Sequence, residues 1–239
     1  MAGAQYIALS GMRSRLDELD RLASDIANAG TSGYKSERTT DAQASRPRFD
    51  AVLQTAIDVA PGGKRLDVSA GPLASTGRDL DFALEGDGFF TVQTPGGPRY
   101  TRNGHFSVRP DGTLTTDDGH PVGGVTGPIT LGPGKVTVDQ DGTIHAGGSP
   151  AGRLAIVRFD DPGRLRRESG ALLVSDMPPG PAPGASVKSG ALEESNVTVV
   201  QRIAELTNVS RTFEALQKAL TLMMNDVDGR AVELLGRRG

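Results

Sequence analysis

Residues 191–227, ALEESNVTVVQRIAELTNVSRTFEALQKALTLMMNDV, decide how the rest of the chain is read. Apolar side chains recur at Val199, Ile203, Leu206, Phe213, Leu220, Met224 and Val227. Heptad steps of four and three carry the pattern through the polar Ser210 and Gln217, and Val209, Leu216 and Met223 widen the stripe on one side. The pattern predicts a helix of about 30 residues, about 45 Å long, with one apolar face. Such a helix gains little by standing alone, because helical stability in proteins comes mostly from burying that face.

The other end of the chain supplies a matching face. Leu9, Met12, Leu16, Leu19, Ala23 and Ile26 step by three, four, three, four and three, a second heptad seam. Arg13, Asp17, Glu18 and Arg21 fall on its polar side, with Arg13–Asp17 and Asp17–Arg21 at helical pairing distance. The first helix is expected over residues 5–29. It ends where Gly30, Thr31, Ser32 and Gly33 form a turn.

Between these ends the pattern changes. Short β-type runs at 82–84, 89–92, 99–101, 106–108 and 154–159 are punctuated by Asn103-Gly104, Asp111-Gly112, Asp118-Gly119 and Asp141-Gly142. Asn-Gly and Asp-Gly between such runs are strong hairpin signals. No helical period appears between the runs, so parallel crossovers are not expected. About ten short strands are predicted. Residues 177–185, rich in proline and glycine, read as a linker. Phe49, Val52, Leu53, Ile57 and Val59 fit either a short helix or a strand.

The expected fold class is therefore α+β. N- and C-terminal amphipathic helices pair as a coiled-coil-like core unit, and a mostly antiparallel all-β domain is inserted between them. The expected divisions are residues 1–35 for the first helix, 36–78 for an extended connector, 79–185 for the β domain and 186–239 for the last helix.

Composition excludes several functions. Among 239 residues, 26 basic and 29 acidic side chains nearly balance, which argues against nucleic acid as a partner. No run approaches the roughly 18 apolar residues of a membrane span, and the N-terminus lacks the pattern of a cleaved secretory signal. Without cysteine there is no thiolate nucleophile or cysteine zinc site. His105, His120 and His145 lack metal-ligand spacing. Asp139-Gln140-Asp141-Gly142 starts like a calcium loop but lacks its later acidic positions. Asp79, Asp81, Glu85 and Asp87 could imitate a glycosidase pair, though a solvated acidic rim is the expectation. No catalytic residues, cofactor or metal site are expected.

Several motifs stand together in this chain. Ile26-Ala27-Asn28-Ala29-Gly30-Thr31-Ser32-Gly33-Tyr34-Lys35 resembles the "LANxxTxGFK" signature of bacterial flagellar rod and hook proteins. The run from Thr76 to Val92 resembles that family's "TGxxLDxAIxGxGFFxV", and Tyr100-Thr101-Arg102-Asn103-Gly104-His105-Phe106 resembles its "YTRxGxF". Gly190-Ala191-Leu192-Glu193-Glu194-Ser195-Asn196-Val197 is similar to "GxLExSNV", and Arg211-Thr212-Phe213-Glu214 to "RxYE". The chain departs from the family at Ser24-Asp25, where paired asparagines are usual, and at Gly30, where a larger residue is usual. Residues 119–131 and 141–144 are similar to the middle of proximal-rod members, with distal-rod and hook types as the alternative within the family.

The resemblance implies a structural subunit of the flagellar basal-body rod in the periplasmic space. It implies export by the flagellar type III apparatus without signal cleavage, and other rod proteins and copies of itself as partners. Two readings from other classes stay open: a periplasmic β-domain enzyme centred on Asp81, and a glycan-binding module, which would lack an aromatic platform. The assembly interface is expected at Leu9, Met12, Leu16, Leu19, Ile26, Ile203, Leu206, Phe213, Leu220 and Met224 on the helices. The motif positions Asn28, Gly33, Tyr34, Leu192, Ser195, Asn196 and Val197 complete it.

Overall fold

The computed structural model describes residues 2–39 and 63–236, with side chains over 9–38 and 63–222. Phe49, Val52, Leu53, Ile57 and Val59, and the side chains of Met223, Met224 and Val227, lie outside the described residues. The chain divides into two compact units. One contains the helices α1 (Ala2–Ala27) and α2 (Val199–Gly236); the other spans residues 27–39 and 64–197.

The fold class is α+β, but the coiled-coil-like pairing is corrected. A closed seam would bury the heptad positions, yet Leu9 is 56% exposed, Leu16 46%, Val199 41% and Ile203 49%. A polar contact joins the two helices, Arg202 with Asp25 at 3.3 Å, and Arg21 stands 3.6 Å from the same carboxylate. On α2 the protected side runs through Leu206, Val209, Phe213, Leu216 and Leu220, with Val209 buried and the others half-buried. The physical reason lies in the pattern. The expected stripe crosses Ser210 and Gln217, whereas the protected one steps three, four, three and four without a polar interruption.

The second unit is β-rich and antiparallel. Its largest sheet has six strands in the order Arg166–Ser169, Leu172–Val174, Gly97–Thr101, Phe89–Thr94, Ile156–Arg158 and Gly180–Pro181. Phe89–Thr94 is central, and all four residues from Phe89 to Val92 are buried. Neighbouring residues on a strand face opposite ways. Phe90 therefore enters one core with Phe82, Phe106, Leu114 and Ile144, while Phe89 enters another with Tyr100, Phe159, Leu165 and Leu173. Phe90 meets Phe106 edge-on at 5.3 Å, and Tyr100 meets Phe159 at 4.8 Å.

Three Asp-Gly turns are built alike. In each, the glycine N–H donates to the carbonyl three residues back: Gly112 to Arg109, Gly119 to Thr116 and Gly142 to Asp139. Asp111 and Asp141 also accept the backbone N–H two residues ahead, at 2.9 and 3.0 Å. The glycines sit at φ +84°, +78° and +83°, where a side chain would be strained.

Two further expectations change. The 177–185 linker contains Gly180–Pro181, an edge strand paired with Val157 and Arg158. An edge position tolerates proline because its missing N–H is not needed by a second neighbour. Asp81 is buried rather than part of an exposed rim, with its carboxylate 2.8 Å from His105 Nδ1 and 3.3 Å from Arg78. Asp79, Glu85 and Asp87 are exposed.

Candidate functional site

After α1 the chain turns tightly. Thr31 N–H donates to Asn28 O at 3.0 Å, and Tyr34 N–H donates to Thr31 O at 3.2 Å. Gly33 adopts φ +68°, and a Cβ there would lie 2.1 Å from the backbone nitrogen of Asn103. Glycine is thus required both for the turn and for this close approach. The turn aims residues 33–36 along the segment that follows strand Ala191–Glu193. Gly33 N–H donates to Glu193 O at 2.7 Å, and Asn196 N–H donates to Tyr34 O at 3.3 Å. The Asn196 amide locks the joint from both sides, accepting from Ser36 N–H at 2.8 Å and donating to Asp67 O at 2.8 Å.

Inside this joint lies a buried charge cluster. Lys35 Nζ pairs with Glu193 Oε1 and donates to Ser69 O at 2.7 Å. Glu193 also accepts Gly71 N–H at 3.0 Å and Arg102 Nη1 at 3.3 Å. Arg102 reaches on to Leu84 O at 3.2 Å and Gly86 O at 2.6 Å. Burial depresses the pKa of Lys35, against the opposing pull of Glu193, and burial likewise depresses that of Arg102. One carboxylate therefore holds two desolvated cations.

A fourth segment closes the outside. Arg167 stacks its guanidinium over the Tyr34 ring at 4.0 Å, donates to the Tyr34 hydroxyl at 2.7 Å and also donates to Lys35 O. The stack and fork together suit arginine, not lysine. The resulting clasp fastens the segment after α1 to the segment before α2 within the β body. Its ion pairs, backbone hydrogen bonds and the Arg167–Tyr34 stack hold these segments to one another. Among the described residues no group of three or more His, Asp or Glu side chains could hold a metal, and no helix is long and apolar enough to cross a membrane.

The expected interface residues fall into three places. Leu9, Leu16 and Ile203 are exposed on the helices, while Met12, Leu19, Ile26, Leu206, Phe213 and Leu220 are half-buried there. Gly33, Tyr34 and Ser195 are buried in the clasp region, and Asn28, Leu192, Asn196 and Val197 are half-buried near them. The side chain of Met224 lies outside the described residues. Lys35, Glu193 and Arg102 stand within the quoted motifs, but their partnership crosses more than 150 residues of chain between Lys35 and Glu193. Nothing local in the sequence signals Arg167.

A family model described as the flagellar hook protein FlgE/F/G D1 domain matches residues 83–146, and one for the C-terminal part of flagellar basal-body rod FlgEFG proteins matches residues 188–229. The chain is 37% identical to the flagellar basal-body rod protein FlgF of Caulobacter vibrioides, over 99% of each chain. It is 34% identical to FlgF of Salmonella typhimurium, over 98% of this chain and 99% of that one. It is 31% identical to the rod protein FlgG of Bacillus subtilis, over 92% and 95%.

Proposed function

The chain belongs to the flagellar basal-body rod protein family and is a structural subunit of the proximal rod, and we propose that it joins its neighbours through the exposed apolar faces of its terminal helices. One observation carries this reading. Leu9 and Leu16 on α1, and Val199, Val200, Ile203 and Leu222 on α2, present large apolar side chains to solvent. Large apolar side chains left exposed on both helices are the raw material of an interaction surface. The partners are other rod proteins and copies of the same chain, in the periplasmic space.

Contacts between different surfaces of successive subunits extend into a helical shaft and do not close into a dimer. Such a shaft transmits torque because each subunit is gripped from both sides. Delivery through the flagellar type III export apparatus requires an unfolded chain. The helical faces suit that route, since their full burial waits for neighbours.

Leu16→Asp and Ile203→Asp test the reading. Both positions are solvent-exposed, so the free subunit should keep its stability to within about 0.5 kcal/mol. Incorporation into purified basal bodies, and swimming, should be lost. Normal incorporation of both variants would refute the helical interface.

A further inference from the structure

We infer that a cation-lined hollow on the β body receives the carboxylates of the Asp117-Asp118 turn from a second copy of this chain. The inference rests on the reading above, that copies of the subunit meet in the rod. The hollow measures about 380 Å³ and is rimmed by Lys64, Arg65, Arg166 and Arg167, with Leu66 and Leu165 behind them. Both leucines are buried. Glu37 is the single carboxylate among the lining residues, and it stands 3.7 Å from Arg167.

The rim holds spare positive charge. The Lys64 ammonium has no ion pair or hydrogen bond among the described residues. Arg65 pairs with Asp161, and Arg166 with Asp176 at 2.8 Å, but both pairs are solvent-exposed. Exposed pairs contribute little and exchange partners readily. Arg167 is already committed to Tyr34 and Lys35 and acts as a fixed wall. Two exchangeable guanidinium forks beside an ammonium match a pair of adjacent carboxylates.

The same chain carries such a pair. Of the three Asp-Gly turns, the first spends Asp111 on Thr113 N–H. The third spends Asp141 on Thr143, and Asp139 on His145 at 2.8 Å. The middle turn presents Asp117 and Asp118, both exposed. Asp118 makes no ion pair or hydrogen bond among the described residues, and Asp117 stands 3.7 Å from His105 Nε2. Giver and receiver are different surfaces of one chain, so the contact is heterologous and repeats along a shaft.

Charge exchange tests this in cells that lack their own copy of the gene, with incorporation of the full-length chain read from purified basal bodies. Lys64→Glu with Arg65→Glu should lower incorporation about tenfold through like-charge repulsion, and so should Asp117→Lys with Asp118→Lys. All four changes together should restore it. If the double reversal at the hollow fails to fold, Lys64→Gln gives the answer, with an expected drop of about twofold to fivefold. Unchanged incorporation in these variants overturns the inference. So does a loss that the fourfold combination does not repair, which would assign the hollow to a different subunit's carboxylates. Leu16→Asp is run alongside. If it is blocked while the charge variants are silent, only this inference fails; if it and Ile203→Asp both assemble normally, the underlying rod-interface reading fails.

Discussion

Glu193→Ala should cost far more than Lys35→Met, although the two residues form one ion pair. Glu193 is fully enclosed and accepts from Lys35, Arg102 and Gly71 N–H. Removing it leaves Lys35 with Ser69 O alone, Arg102 with two carbonyls, and the Gly71 N–H without its acceptor. Taking away one partner of a buried ion pair costs roughly 3–5 kcal/mol. Lys35→Met instead leaves Glu193 satisfied by Arg102 and Gly71 and replaces a desolvated cation with an apolar chain, at about 1–2 kcal/mol. For a chain of this size the Glu193 change should lower Tm by roughly 10 °C.

The pH dependence has a definite sign. Burial already holds Lys35 below its ordinary value of 10.5. Between its folded and unfolded pKa the folded chain binds fewer protons than the unfolded chain, so stability rises with pH across that alkaline window. Glu193 opposes the depression, and without it the window widens downward. Urea titrations of the free subunit at pH 7 and pH 10 would measure this. Glu193→Ala should gain more stability over that interval than the native chain. A loss below about 1 kcal/mol for Glu193→Ala at pH 7, together with an unchanged pH slope, would refute the account of the clasp.

Gly104→Ala would place a Cβ 1.6 Å from Phe82 O; a loss of roughly 4 kcal/mol or failure to fold is expected, read by thermal unfolding. Arg167→Lys removes the stack on Tyr34 and the fork to Tyr34 and Lys35, and should cost about 1–2 kcal/mol in chemical denaturation. Asp111 and Asp141 are held below their ordinary value of 3.8 chiefly by the N–H groups of Thr113 and Thr143. Their contribution is complete above the unfolded value and lost as pH falls through the lowered folded one. Acid unfolding followed by circular dichroism should therefore be shallower in a chain carrying Asp111→Asn and Asp141→Asn.

The Asp-Gly hairpin signals were legible because they act locally: the glycines at 112, 119 and 142 take a positive φ. Asn103-Gly104 is a correction, since the strands on either side of it pair elsewhere and Gly104 instead lets the chain pass close to Phe82 O. The strand at 89–92 was equally plain from its run of Phe, Phe, Thr and Val. The edge strand at Gly180–Pro181 was hidden, because its pairing with Arg158 and Val157 is granted by a neighbour and not by its own composition. Asp81 was misplaced for a related reason. A charged side chain reads as exposed until the partners that accompany it inward, here His105 and Arg78, are known.

The sequence by itself determined two long helices at the ends, a β-rich middle and, through its motifs, the family. These follow from periodicity and turn chemistry, which act over a few residues. Only the tertiary structure decided which side of α2 is protected and that Leu9, Leu16, Val199 and Ile203 stay exposed on the helices. It also decided that Lys35 meets Glu193 inside the body, with Arg102 and Arg167 drawn in from elsewhere. Each of these is a contact between residues far apart along the chain, and a buried charge is tolerated only where all its partners arrive together.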